Sequence, residues 1–162
     1  MEIERKFLIR SGQFPESLEE VERADVEQGY LALEPQVRIR KKTTADGDEF
    51  ILCIKGKGSL ARTEVETVLT EKQYYELKDM LDRRMITKEY RKYRLPSSDL
   101  FLEVSIVNKG WPEEFMYAEI EFESVEAANA YRPGLYLREE ITYSPDYRMG
   151  RLWQMLGEEN KS

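Results

Sequence analysis

The sequence predicts a mainly β, α+β fold built from antiparallel strands. Three observations carry this expectation: seven or eight stretches alternate with period two, turn residues separate them, and only two or three stretches have helical spacing. No repeat of 20 to 50 residues is visible. The 162 residues suffice for one core and no Pro/Gly/Ser-rich linker divides them, so one domain is expected over 1–157, with 158–162 as a polar C-terminal tail.

The first strand, residues 1–10, sets the pattern. Glu2, Glu4 and Lys6 share one face, while Ile3, Phe7 and Ile9 share the other together with Arg5. Residues 11–27 carry Pro15 in a polar context and are read as a loop with a short helical turn. Residues 28–32 form a short strand, and Val37 to Arg40 alternate apolar with cationic, which puts Arg38 and Arg40 on one face. Asp46-Gly47-Asp48 signals a hairpin into a strand where Phe50, Leu52 and Ile54 oppose Ile51, Cys53 and Lys55. Residues 56–59 are glycine-rich but lack the spacing of a phosphate-binding loop, so they read as a flexible turn.

Residues 61–69 predict a strand with Arg62, Glu64 and Glu66 on one face. A helix over 70–81 follows, capped by Thr70, with Tyr74, Leu77, Met80 and Leu81 as its apolar stripe. Strands are then expected over 86–95, 100–107 and 116–122, a short helix over 125–131, an extended segment over 137–142 and a terminal helix over 147–156. Cys53 reads as a packing residue.

One row of these strands collects seven acids (Glu2, Glu4, Glu64, Glu66, Glu103, Glu119, Glu121) and eight bases (Lys6, Arg38, Arg40, Lys55, Arg62, Lys88, Lys92, Arg94). The opposite rows hold most of the aliphatic and aromatic residues. Pattern alone leaves two architectures open: a sheet with one solvated side, or a closed barrel with apolar rows outward and charged rows lining a lumen. In a lumen, so many charges are tolerable only with water, metal and a polyanion among them.

Composition excludes several classes. The net charge of -7 argues against general nucleic-acid binding, although basic residues cluster locally. With no histidine and a single cysteine, the usual zinc sets, an intrachain disulfide and histidine acid-base chemistry are excluded. Any metal is expected on oxygen ligands. The charged amino terminus and the lack of a long apolar run predict no signal peptide or membrane span, hence a cytoplasmic setting.

The order of motifs resembles the CYTH superfamily, the triphosphate tunnel metalloenzymes. Glu2-Ile3-Glu4-Arg5-Lys6 matches its E-x-E-x-K signature. Gln28-Gly29-Tyr30-Leu31, Arg38-Ile39-Arg40, Lys55, Arg62-Thr63-Glu64-Val65-Glu66, Glu103, Glu119-Ile120-Glu121-Phe122 and Glu140-Ile141-Thr142 with Tyr147 follow in order. The resemblance implies an eight-stranded antiparallel barrel, a tunnel with helices packed outside. It also implies metal-dependent hydrolysis of inorganic triphosphate or a small organic triphosphate.

Carried over by residue, the resemblance implies that Glu2, Glu4, Glu119 and Glu121 hold Mg2+ or Mn2+. Lys6, Arg38, Arg40, Lys55, Arg62, Lys88 and Lys92 would bind phosphate, with Lys6, Glu64 and Glu66 in catalytic roles. Two positions depart from the family: Lys88 to Tyr93 reads K-E-Y-R-K-Y where K-x-R-Y is usual, and Ser105 stands where an aspartate is common. The partner implied is a small-molecule triphosphate, with no nucleic acid, no membrane and room for a homodimer. The alternatives are a class IV adenylyl cyclase, for which no base-recognition motif is visible, and a non-catalytic polyphosphate-binding module.

Overall fold

A computed structural model describes residues 1–10, 12 and 14–159. Its elements follow the order β1 (Glu2–Ile9), β2 (Glu19–Leu33), β3 (Gln36–Thr44), β4 (Gly47–Lys55), β5 (Ala61–Arg62), β6 (Glu64–Val68), α1 (Glu71–Lys78), β7 (Ile86–Arg94), β8 (Phe101–Val107), β9 (Phe115–Glu121), α2 (Val125–Ala130), β10 (Leu137–Glu140) and α3 (Met149–Glu159). Every pairing is antiparallel, and the sheet runs β10-β1-β9-β8-β7-β2-β3-β4-β6. β5 joins the far end of this path to its start by pairing Arg62 with Glu2 and Ala61 with Ile3. The result is a nearly closed barrel.

Among the described residues the strands number ten, which corrects the expected eight. The stretch expected as one strand over 61–69 changes partner at Thr63: residues 61–62 pair with β1, residues 64–68 with β4. The Thr63 carbonyl accepts instead from the Gly56 amide at 2.9 Å. One edge of β1 pairs with β9, and the other is shared between β5 at its start and β10 at its end.

The loop expected over 11–27 is also corrected, because residues 19–27 open β2, a strand of 15 residues. Ala24, Val26, Gln28 and Tyr30 do alternate there, but a small residue and an amide weaken the apolar signal, and Glu19, Glu20, Glu22 and Arg23 surround them with charge. Pairing with β7 on one side and β3 on the other makes this segment a strand. Ser11 and Gln13 of that stretch lie outside the described residues.

Helix limits shift for local reasons. Thr70 caps α1 by accepting from the Gln73 amide while the Gln73 side chain returns to the Thr70 amide, a capping box. The helix ends at Lys78 rather than 81, where three-residue bonds from Met80 to Leu77 and Leu81 to Lys78 tighten the chain. The terminal helix begins at Met149 rather than 147, after a 3-10 turn over Pro145–Tyr147. It runs on through 158–159 of the expected tail, and residues 160–162 lie outside the described residues.

Two apolar clusters hold the barrel. Tyr74 of α1 and Trp153 and Leu156 of α3 pack with Tyr30, Ile39 and Phe50, the rings of Phe50 and Tyr74 lying 5.1 Å apart. Ala128 of α2 packs with Phe7, Leu102, Ile120 and Phe122. Burying each large side chain stabilises the fold by about 2 kcal/mol relative to exposure. Gly29 matters to the first cluster: a Cβ there would stand 2.7 Å from Leu81, 2.9 Å from Met85 and 3.0 Å from Trp153, so a larger residue would force these side chains to shift from the β2 backbone. No helix among the described residues is long and apolar enough to cross a membrane.

Arg5, the lone cation in an apolar row, has a structural use. Its guanidinium donates to both Glu140 oxygens, at 2.9 and 2.8 Å, and through Nη1 to the carbonyls of Ala128 and Tyr131. It thereby ties β10 and the end of α2 to β1. The hydrogen bonds from Arg5 hold the Glu140 carboxyl below its ordinary range, so its contribution is present above the ordinary carboxylate pKa and lost as pH falls through the lower folded value. Glu140→Gln is expected to cost about 1 kcal/mol near neutral pH. In urea unfolding, the gap from wild type should narrow below the ordinary carboxylate range; a gap independent of pH would remove the ion pair as its cause.

Candidate functional site

The inner face of the barrel encloses a cavity of about 260 Å³. Strand alternation delivers its walls: Glu2, Glu4 and Lys6 from β1, Val26, Gln28 and Tyr30 from β2, Arg38 and Arg40 from β3, and Lys55 from β4. Arg62, Glu64 and Glu66 come from β5 and β6, Lys88 and Tyr90 from β7, Glu103 and Ser105 from β8, and Tyr117, Glu119 and Glu121 from β9. Thr142, Tyr147 and Arg148 line it from the segment before α3, and Gly58 and Ser59 from the loop after β4. Thr142 is held in place by the Lys6 amide, which donates to its Oγ1 at 3.0 Å.

Register sorts the charges. Pairing sets Arg38 beside Tyr30 and Cys53, Arg40 beside Gln28, and Lys88 beside Val26, which makes a basic wall over β3, β2 and β7. Glu4 beside Glu121 and Glu103 beside Glu119 make an acidic wall over β1, β9 and β8. At the seam the two signs meet. Lys55 Nζ lies 3.1 Å from Glu2 and 3.7 Å from Glu64, Arg62 Nε lies 3.6 Å from Glu2, and Lys6 Nζ lies 3.5 Å from Glu119.

Proton affinities follow from this crowding. Burial, then the charges of Glu119 and Glu2, push the Glu4 carboxyl well above its usual range. Burial would raise Glu119 too, but Lys6 and Lys88 outweigh it and hold that carboxyl far below. Lys88 is pushed down to about 7 by burial, with the charges of Arg38, Lys6 and Arg40 adding to the effect and Glu119 opposing it. The Lys6 and Lys88 ammonium groups lie 4.6 and 5.4 Å from the ring centre of buried Tyr117.

All seven acids expected on the inner face line the cavity, as do Lys6, Arg38, Arg40, Lys55, Arg62 and Lys88. Lys92 and Arg94 are not among the lining residues: they flank the Phe101 ring at 4.6 and 5.1 Å near the end of β7, with Lys92 across from the wall residue Glu103. Cys53 is 1 % exposed and its thiol donates to Glu64 at 3.7 Å. Burial raises its pKa, so it is a protonated packing group. Motif reasoning assigned no role to Gln28, Tyr30, Tyr117, Ser59 or Arg148. The first two were legible as inward positions of β2; the Arg148 guanidinium, donating to Ser59 Oγ at 2.6 Å, comes from a turn that no strand period reaches.

No family model matches the chain. It is 32% identical over 147 residues to an inorganic triphosphatase of Nitrosomonas europaea, covering 91% of this chain and 93% of that protein. The chain belongs to the CYTH superfamily. A solved structure of an inorganic triphosphatase superposes with a TM-score of 0.63 at 27% identity, over 94% of this chain and 93% of that one. A candidate adenylate cyclase from Bacillus halodurans shares the CYTH fold at a TM-score of 0.52 and 14% identity, over 80% of this chain and 84% of that one.

The CYTH tunnel also presents oxygen donors suited to a hard divalent cation. Beyond the effect of burial, the charge of Glu64 raises the proton affinity of Glu2, and that of Glu119 raises the proton affinity of Glu4. Like charges this close need a shared proton or a cation between them. The four expected ligands nevertheless do not gather into one tight set: among the described residues, the one triad with ligand atoms all within 4.8 Å is Cys53, Glu64 and Glu66. Lys55 partly neutralises this acidic crowd from a side chain that is 8% exposed. Lys55→Met is expected to destabilise the fold by about 3 kcal/mol, and by less in a Glu2→Gln background. Equal losses in both backgrounds, measured by urea unfolding, would show that the pair is not coupled.

Proposed function

We propose that this chain hydrolyses inorganic triphosphate, or a small organic triphosphate, inside the tunnel with the aid of Mg2+ or Mn2+. The observation that carries the reading is a nearly closed barrel whose inner face sets a basic wall of Arg38, Arg40 and Lys88 against an acidic wall of Glu4, Glu103, Glu119 and Glu121. The likeness to inorganic triphosphatases over most of the chain supports it.

In this reading Arg38, Arg40 and Lys88 bind the phosphoryl oxygens from one side, and Lys6, Lys55 and Arg62 from the seam. An anion in the lumen would raise the depressed pKa of Lys88 and restore its charge. Glu2, Glu4, Glu119 and Glu121 would hold the cation, with Glu64 and Glu66 taking protons from the attacking water. A divalent cation, when bound, neutralises phosphoryl charge and acidifies water. The arginine forks orient the chain of phosphates, and the sheet around them keeps bulk water out. The chain's net charge of -7 speaks against nucleic acid as the partner, while the local basic wall leaves a place for a small polyanion.

The decisive assay is phosphate release from tripolyphosphate, thiamine triphosphate and nucleoside triphosphates with magnesium or manganese. Activity should vanish in excess chelator; full turnover there would sink metal dependence. Arg38→Ala and Arg40→Ala should each raise the KM or lower kcat at least tenfold, an effect of about 1.4 kcal/mol or more. Lys72→Ala, on an exposed α1 side chain, should change neither, and equal small effects in both sets would return the inner charges to a solvated-face role.

Hydrolysis is expected rather than cyclisation. A cyclase must fix the nucleoside as firmly as the phosphates, whereas the cavity walls present chiefly groups suited to phosphate and metal. With ATP and manganese, product separation should detect no cyclic nucleotide; cyclic AMP with pyrophosphate would replace the hydrolase reading by the cyclase one.

A further inference from the structure

Among the neutral polar side chains that line the cavity, Gln28 stands out by its burial and its unpaired atoms. It is 0 % exposed, and neither its Nε2 nor its Oε1 has a hydrogen-bond partner in the protein. Leaving a buried amide unpaired costs free energy, so such groups are uncommon unless something outside the chain completes them. Two neighbours share the condition: Arg38 Nε and Arg40 Nε are also buried without a partner. All three side chains line the same cavity, and Gln28 stands directly beside Arg40 in the strand register. Orphaned donors that converge on one cavity mark where an acceptor belongs.

The fold commits residues to keeping this amide in place. Gly29 lets Leu81, Met85 and Trp153 close on the outer side of β2 at this point. The central strand is thus pressed from outside where Gln28 projects inward, between β3 and β7. A leucine or methionine would fill the same space without an orphaned polar atom.

We propose that Gln28 is a substrate-binding residue whose carboxamide donates to a phosphoryl oxygen held between Arg40 and Lys88. This rests on the triphosphate reading above and extends it to a residue of a different kind. Arginine and lysine attract any anion; a neutral amide adds little long-range attraction and rewards only an oxygen placed at its Nε2. Its contribution is therefore positional, and its cost falls on the free protein.

That division yields an unusual signature. Gln28→Met, close in shape but unable to donate, should melt at or above the wild-type temperature in the absence of ligand, because an unpaired buried amide is removed. The same variant should bind tripolyphosphate, titrated calorimetrically in excess chelator, about tenfold more weakly. Its ligand-induced rise in melting temperature should shrink accordingly. Gln28→Glu, which keeps the length but sets a carboxylate against the phosphate, should bind more weakly still. A Gln28→Met protein that melts lower yet binds tripolyphosphate like wild type would make Gln28 a structural residue and overturn the inference. Should Gln28→Met fail to fold, wild-type affinity in Gln28→Glu overturns it equally. If wild-type protein binds tripolyphosphate neither in chelator nor with magnesium, the triphosphate reading falls, and this inference with it.

Discussion

Opposed charge on a single inner face is the constraint on which the structure depends. Seven carboxylates and as many cations, Arg148 included, face one cavity. Their desolvation would be prohibitive in a filled core, so the barrel cannot collapse inward and the apolar rows must find their partners outside. The helices supply apolar partners: Tyr74 and Trp153 pack in one cluster with strand residues, Ala128 in another. The two-residue β5 is small in area but large in effect, since it carries Arg62 to Glu2 and brings the last wall of the lumen against the first.

Within that lumen the arrangement is poor for the stability of the free protein. Glu4 is crowded by Glu2 and Glu119, Lys88 by Lys6, Arg38 and Arg40, and the Gln28 side chain has no hydrogen-bond partner in the protein. Each of these is a local cost that better packing or pairing would relieve, and sites that give up stability in this way are commonly built for a ligand. The seam pairs, Lys55 with Glu2 and Glu64 and Lys6 with Glu119, limit the cost without cancelling it. Structural ion pairs are kept elsewhere, as Arg5 with Glu140 on the opposite face of β1 shows.

Much of the site was legible because a strand has an exact side-chain period. Once Glu2, Glu4 and Lys6 are in phase, the phase of Arg38, Arg40, Lys55, Glu64, Glu66, Glu119 and Glu121 follows from local alternation. Where alternation was diluted the reading failed. Residues 19–27 are a strand because β3 and β7 pair with them, although their own charges suggest a loop. Lys92 and Arg94 keep the correct phase and stand by Phe101 toward the end of β7, with Lys92 across from Glu103.

The sequence by itself determined which side chains share a face, that acids and bases alternate with apolar residues, and, through the order of its motifs, the family. Tertiary structure alone decided which charges meet. The change of partner at Thr63, the sharing of β1's edge between β5 and β10, and the approach of Arg148 to Ser59 all join residues far apart in the chain. So does the sorting into a basic and an acidic wall, which depends on strand order around the barrel. Period is a property of one strand and can be read locally; proximity across a closed sheet is a property of all of them together.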